Sequence, residues 1–393
     1  MQQKRFDMTY TAADSLNDVP RWYRRLHSSA VAWVTDNGPN ELQDDGFFRS
    51  NLVTAADLDY DGPVIARLLV VAMCHAFHVA SGQQPAVQAS PTLWAGLDAG
   101  SHRVCYRTVK TSADGTVHAW YPATASGTRL RFIDYAGKSA PQLGAFLERV
   151  GLNRLTIDSL FAAPLFASAN PQPATGPFPL VLVAQGNGQD VIDQVILCEY
   201  LASLGFVVAS TPSPMLRVPQ EREDQVGQLA DLQASDLQDA MAIVSRSLPI
   251  DRDRVGIVGH SFGARAALLL AMRLPQLRAV VSLDGGIGTA TAVEHFKRAP
   301  SFRADAVLPP LLHFYEELDE FMKPDFTLLR SLRFAELDTV RTTDLRHTHF
   351  TTYGFLAAAF PDIARATRAT GSTSAGLVTV AQRTGDLLLR LLR

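Results

Sequence analysis

Residues 254–263 read RVGIVGHSFG. Gly259-His260-Ser261-Phe262-Gly263 is a G-x-S-x-G pentapeptide, which on its own is a weak signal. Its flanks give it weight. RVGIVG (254–259) has the apolar composition of a buried strand, and FGARAALLLAMRL (262–274) is an Ala/Leu-rich helix that Pro275 stops. A serine on a sharp turn between strand and helix has a strained backbone with no room beside it, so the glycines two positions before and after are required. Its hydroxyl then projects above the sheet. The partial positive charge of the helix N-terminus faces any oxyanion forming there.

Outward from this turn the chain alternates. PLVLVAQG (179–186), FVVAST (206–211), RAVVSLDG (278–285) and LPPLLHFY (308–315) are continuous apolar runs, as in strands covered on both faces, and 337–343 is a last candidate. Between them, 191–205 and 225–248 have helical spacing. Before them, 102–109 and 116–121 form a hairpin pattern around SADG, and RLRFIDY (129–135) reads as a third strand. Strands alternating with helices predict an α/β fold: a mostly parallel central sheet with helices on both faces. Two short helices within 137–170 form a small helical cap insertion. Their apolar residues Leu160, Phe161, Leu165 and Phe166 read as core rather than as the lining of a lipophilic pocket.

A serine hydroxyl needs a histidine base, and the base needs a carboxylate to orient it. In enzymes built on this turn, acid and histidine follow the serine in the chain. Of ten histidines, His295, His313, His347 and His349 lie downstream, the last three in or after the later strands. His313 falls inside a strand and reads as core. His347 and His349 lie in DLRHTHFTTYG, after the last strand, where a base belongs. For the acid, Asp284 ends the strand after the nucleophile's helix, although an aspartate before Gly285-Gly286 is also ordinary turn chemistry. Asp305 lies in a polar loop. Glu316, Glu317 and Asp319 follow LLHFY, the other usual acid position, in what reads as a solvated charged turn. Two backbone N–H groups are needed to hold an oxyanion. The residue after the nucleophile, Phe262, supplies one, and the QGNG loop (185–188) supplies the other through Asn187.

With these segments in hand, residues 117–350 resemble the α/β-hydrolases related to platelet-activating factor acetylhydrolase and, more loosely, dienelactone hydrolase. AWYPA (119–123), FPLVLVAQGNG with LASLGFVVASTPSP, PIDRDRVGIVGHSFGARAA, and VVSLDGG with RHTHFTTYG carry the resemblance in order. It implies the α/β-hydrolase fold, a Ser261–Asp284–His347 triad with His349 and Glu316 as alternates, and hydrolysis of carboxylic esters. One position departs. Members usually have histidine before the oxyanion glycine, and here Gln185 stands there, which bears on substrate preference. Residues 1 to about 100 have no counterpart.

Composition bounds the rest. The chain has 393 residues, 47% of them hydrophobic, enough for one large domain with appendages. A net charge of −3 and no basic block argue against nucleic acid as partner. Cys74, Cys105 and Cys198 show no metal-binding spacing and read as ordinary small apolar residues, so no metal and no cofactor are expected. Residues 1–62 are a weakly patterned N-terminal extension, 63–100 a signal-like or helical linker, and 101–393 the catalytic domain. RLLVVAMCHAFHVASG (67–82) has the layout of a signal peptide: a charged start, a short apolar stretch, then small residues. It reads as a signal peptide behind a wrongly assigned extension, as an internal membrane anchor, or as a buried helix. The first reading means export to the periplasm or medium, and the last a cytoplasmic protein.

The expectation is a serine esterase acting on a small-molecule or lipid-like ester. The rivals are a peptidase, thioesterase or amidase on the same turn, and a hydrolase fold used only for binding.

Overall fold

The structure, a computed structural model, describes residues 93–111, 115–125, 127–169, 172–217 and 225–392. The extension 1–62, the signal-like stretch 67–82 and Cys74 lie outside the described residues. The compact unit spans Pro91–Arg393. Leu93, Trp94 and Leu97 are already buried in its core, so the fold begins ahead of residue 101.

In chain order the unit opens with the hairpin β1 (Arg103–Lys110) and β2 (Thr116–Ala123), then β3 (Thr128–Arg131). Next come helices α1 (Phe132–Ala136), α2 (Ala140–Arg149) and α3 (Arg154–Ala162), and strand β4 (Pro164–Ala169). The alternating part follows as β5 (Phe178–Ala184), α4 (Val195–Ser203), β6 (Val207–Thr211), α5 (Val226–Val244), β7 (Ile250–His260), α6 (Gly263–Arg273) and β8 (Leu277–Leu283). It continues through α7 (Ala292–Lys297), β9 (Val307–Leu308), β10 (Leu311–Tyr315), α8 (Thr327–Ser331), β11 (Arg333–Phe334) and β12 (Leu337–Arg341). Helices α9 (Thr352–Leu356), α10 (Pro361–Thr367) and α11 (Thr373–Leu392) close the chain.

Ten strands form one sheet in the order β12-β10-β8-β7-β5-β6-β2-β1-β4-β3, and β9 pairs with β11 separately. From β12 to β6 every pairing is parallel, and β2 joins β6 and β1 antiparallel. This is the predicted mostly parallel sheet. Strand β5 has β6 on one side and β7 on the other. The connection from β6 to β7 therefore crosses back over β5 and reverses the direction in which strands are added.

The strand residues divide between two cores. Val181 and Val183 of β5, Val258 of β7 and Val281 of β8 face α4 and α11, while Leu180, Leu182, Ile257 and Val280 face α5 and α6. That period of two explains why the runs are apolar throughout: both faces are covered. The helices expected as a cap, α2 and α3, lie in the first of these layers. Ile157 and Leu160 are fully buried there, and Leu165 belongs to the same core. Phe166 packs its ring 4.8 Å from Trp94.

The sequence reading needs one correction. RLRFIDY is strand only to Arg131 and then turns into α1. Asp134 accepts from the Arg131 N–H at 2.8 Å and pairs with its guanidinium, which stops the strand and starts the helix. The layer also holds a charge that patterning does not show. Glu199 is fully buried, and its carboxylate accepts from Tyr135 Oη (2.7 Å), Trp94 Nε1 (3.4 Å) and the amides of Phe166 and Ala167 (2.9 Å each). Four donors offset its desolvation. Among the described residues no helix is long and apolar enough to cross a membrane.

Candidate active site

The turn read from the sequence is a strand–turn–helix: β7 ends at His260, α6 begins at Gly263, and Ser261 has φ of +54°. A non-glycine residue in this region costs on the order of 1–3 kcal/mol and persists only where its surroundings enforce it. They do. The Ser261 N–H donates to the Leu283 carbonyl at 3.1 Å, and the Gly286 N–H donates to the Ser261 carbonyl at 2.9 Å. Side chains on the flanking glycines cannot be accommodated: a Cβ on Gly259 would stand 2.5 Å from the Gly263 carbonyl oxygen, and one on Gly263 2.2 Å from that of Ala184.

Asp284, just past β8, also has a positive φ (+43°), and its N–H donates to Phe314 at 2.9 Å. Its carboxylate is buried. Oδ2 lies 2.6 Å from His347 Nδ1, and Oδ1 accepts the Glu316 N–H at 3.2 Å. Burial pushes this carboxyl upward, while His347 and the Glu316 amide hold it down. On the other edge of the imidazole, His347 Nε2 lies 2.9 Å from Ser261 Oγ. Three residues 86 and 63 positions apart in pairs thus form one hydrogen-bonded chain.

The alternates lie elsewhere. His349 is turned away: its Nδ1 accepts the Arg346 N–H at 2.9 Å and its Nε2 donates to the Thr367 carbonyl at 2.8 Å. Glu316 is buried, but its carboxylate caps its own turn, accepting from the amides of Leu318 and Asp319. Burial, then Asp284 and Asp319, push it up to about 7. Glu317 pairs with Arg341 at the surface. His313 is buried in β10 against Ser282 (2.8 Å) and is pushed down to about 3 by burial.

Phe262 heads α6, and Asn187 lies in the loop after β5, at the same C-terminal edge of the sheet. Within that loop the Gly186 amide is already committed to Gln189 Oε1 at 2.7 Å. Gln185, at the departing position, points into the fold. Its Nε2 donates to Ser210 Oγ at 2.9 Å, and its carbonyl accepts from Gln233 Nε2 at 2.9 Å. It anchors the loop between β6 and α5.

Sequence reasoning passed over His260 and Gln194. The His260 ring tilts over that of His347 at 4.8 Å, and its Nε2 faces the His347 carbonyl at 3.2 Å. Burial first, then His347, hold its pKa well below its ordinary range, which favours the neutral ring beside His347. Gln194 Nε2 donates to the Phe350 carbonyl at 3.0 Å, tying the turn after His347 to the start of α4. Neither residue has a spacing signal, because each acts across the fold on a backbone carbonyl. From the loop after β10, the Phe321 ring stands edge-on to His347 at 5.2 Å and is 46% exposed.

Comparison with known proteins supports the fold. Residues 236–333, which run from α5 through the serine and aspartate segments to β11, match the family described as BAAT / Acyl-CoA thioester hydrolase C terminal. The structure is similar to that of a ferulic acid esterase from Streptomyces cinnamoneus, with a TM-score of 0.54 and 20% identity over 78% of this chain and 93% of that one. No curated protein matches the sequence. By fold the chain is an α/β-hydrolase.

Proposed function

We propose that the protein is a serine hydrolase that cleaves carboxylic esters of small-molecule or lipid-like substrates through an acyl-serine. The hydrogen-bonded line from Ser261 Oγ through the His347 ring to Asp284 Oδ2 carries this reading. In it, His347 Nε2 takes the hydroxyl proton as Oγ attacks the acyl carbonyl, and Asp284 holds the Nδ1–H tautomer and stabilises the imidazolium. The amides of Phe262 and Asn187 hold the oxyanion. His347 returns the proton to the leaving alcohol, and water then repeats the sequence on the acyl-serine. Nucleophile, base and acid are all side chains of this chain, so the chemistry calls on no metal or organic cofactor.

A thioester substrate is the second reading, favoured by the family match across 236–333. The same machinery would act on it, with a thiolate as leaving group.

The test is Ser261→Ala beside the wild type, against p-nitrophenyl esters of graded acyl length and against acyl-CoA thioesters. Loss of turnover by several orders of magnitude is expected, and whichever series has the larger kcat/KM names the substrate class. Unchanged hydrolysis in the alanine variant would sink the assignment. Failure of a fluorophosphonate to label Ser261 would leave a hydrolase fold used only for binding.

A further inference from the structure

The turn after β10 reads in sequence as a solvated cluster of carboxylates. In the fold it reaches the base from outside the serine–histidine–aspartate line. Asp319 Oδ2 accepts the backbone N–H of His347 at 3.0 Å, and its Oδ1 pairs with Arg346 at 2.8 Å. The Arg346 guanidinium also donates to the Leu318 carbonyl at 3.1 Å, closing a ring between turn and base. Three residues earlier, the Glu316 N–H fixes Asp284 Oδ1, and the Glu316 carboxylate accepts the Asp319 N–H at 3.0 Å. Two residues later, Phe321 braces the His347 ring. Acid and base are thus registered on one short turn.

Resting on the hydrolase reading above, we propose that Asp319 is a positioning residue: its carboxylate fixes the His347 backbone so that the imidazole spans Ser261 and Asp284. The interaction made is a hydrogen bond from an amide, so an acceptor is what the position requires. The other charged or titratable groups around the histidine are Asp284 from the end of β8, Glu316 on the same turn, Arg346 and His349 beside it, and His260 from β7.

The experiment compares Asp319→Ala and Asp319→Asn with the wild type. The alanine variant is expected to lower kcat about ten- to a hundredfold with KM within about threefold, since a small misplacement of a base costs turnover rather than binding. Asparagine keeps an oxygen for the His347 amide and is expected to return kcat to within about threefold of the wild type. A substrate-free readout accompanies it: the far-downfield NMR signal of the His347 Nδ1–H in histidine-labelled protein, expected to broaden or vanish in the alanine variant and persist in the asparagine variant. An alanine variant with unchanged kcat and signal overturns the proposal. So does an asparagine variant as impaired as alanine, because charge would then be what matters. If the wild type cleaves neither esters nor thioesters, the hydrolase reading fails, while the resonance still decides Asp319.

Discussion

Asp284 Oδ2 lies 2.6 Å from Nδ1 of His347, and both side chains are shut away from solvent. An amide in place of that carboxylate presents a donor as well as an acceptor and lets the imidazole settle in the wrong tautomer. Asp284→Asn is therefore expected to fold normally and to lose about 10³–10⁴ in kcat. Steady-state kinetics on an activated ester, with circular dichroism as the control for folding, measures it. A loss under about tenfold would mean that another group orients the base.

Gly263 offers a test of the elbow independent of catalysis. Its missing side chain is what lets α6 approach the Ala184 carbonyl. That neighbour is sheet backbone and cannot swing aside, so Gly263→Ala is expected to destabilise the fold by about 3 kcal/mol. Urea midpoints of the two proteins give the difference. A variant as stable as the wild type would show that the helix can shift without loss.

Glu316 makes stability depend on pH in a predictable direction. Folded, its carboxyl is pushed from 4.5 up to about 7, chiefly by burial. Unfolded, it titrates near its ordinary value, about 4.3. Between the two, the folded chain retains a proton that the unfolded chain has lost, so this group's contribution to stability falls as pH rises through that window and levels off above it. Glu316→Gln keeps an acceptor for the Leu318 and Asp319 amides and removes the titration. Its urea midpoint should decline less than the wild type's between about pH 5 and about pH 7.5. Parallel declines would remove Glu316 as the source.

His349 separates the two histidines of the RHTHF segment. Its ring is spent on the Arg346 amide and the Thr367 carbonyl, which ties the turn carrying His347 to the end of α10. His349→Ala is expected to cost about 1–3 kcal/mol in stability and to leave kcat within about tenfold of the wild type. His347→Ala should abolish turnover. Swapped outcomes would mean that His349 is the base.

How much of this could be read in advance depended on how local each cause is. The buried strands and the elbow were legible, because a run such as PLVLVA or a Gly-x-Ser-x-Gly turn carries its reason within a few residues. The order of acid after serine and histidine after acid follows from the succession of strands. The residues alone left His347 and His349 open, since they sit two residues apart on one turn; the resemblance favoured His347, and in the fold the positions of Thr367 and Asp284 tell them apart. α11 was passed over although Leu377, Val380, Ala381, Leu388 and Leu392 bury one stripe of it, since its apolar residues are spread among polar ones rather than gathered in a run. Asp319 looked like any acid in EELDE because its partner is a backbone amide 28 positions away.

The two flanks of the site are built from different materials. Ser261 is gripped by main-chain atoms of Leu283 and Gly286, whereas His347 depends on the side chains of Asp284 and Asp319. Sequence drift therefore has unequal licence on the two sides. Around the serine most side chains can change while no residue can be added. Around the histidine a few side chains must stay, Asp284 and Asp319 first among them. A designer reshaping the site should keep Asp284 and Asp319 on the histidine side and confine the serine side to point changes.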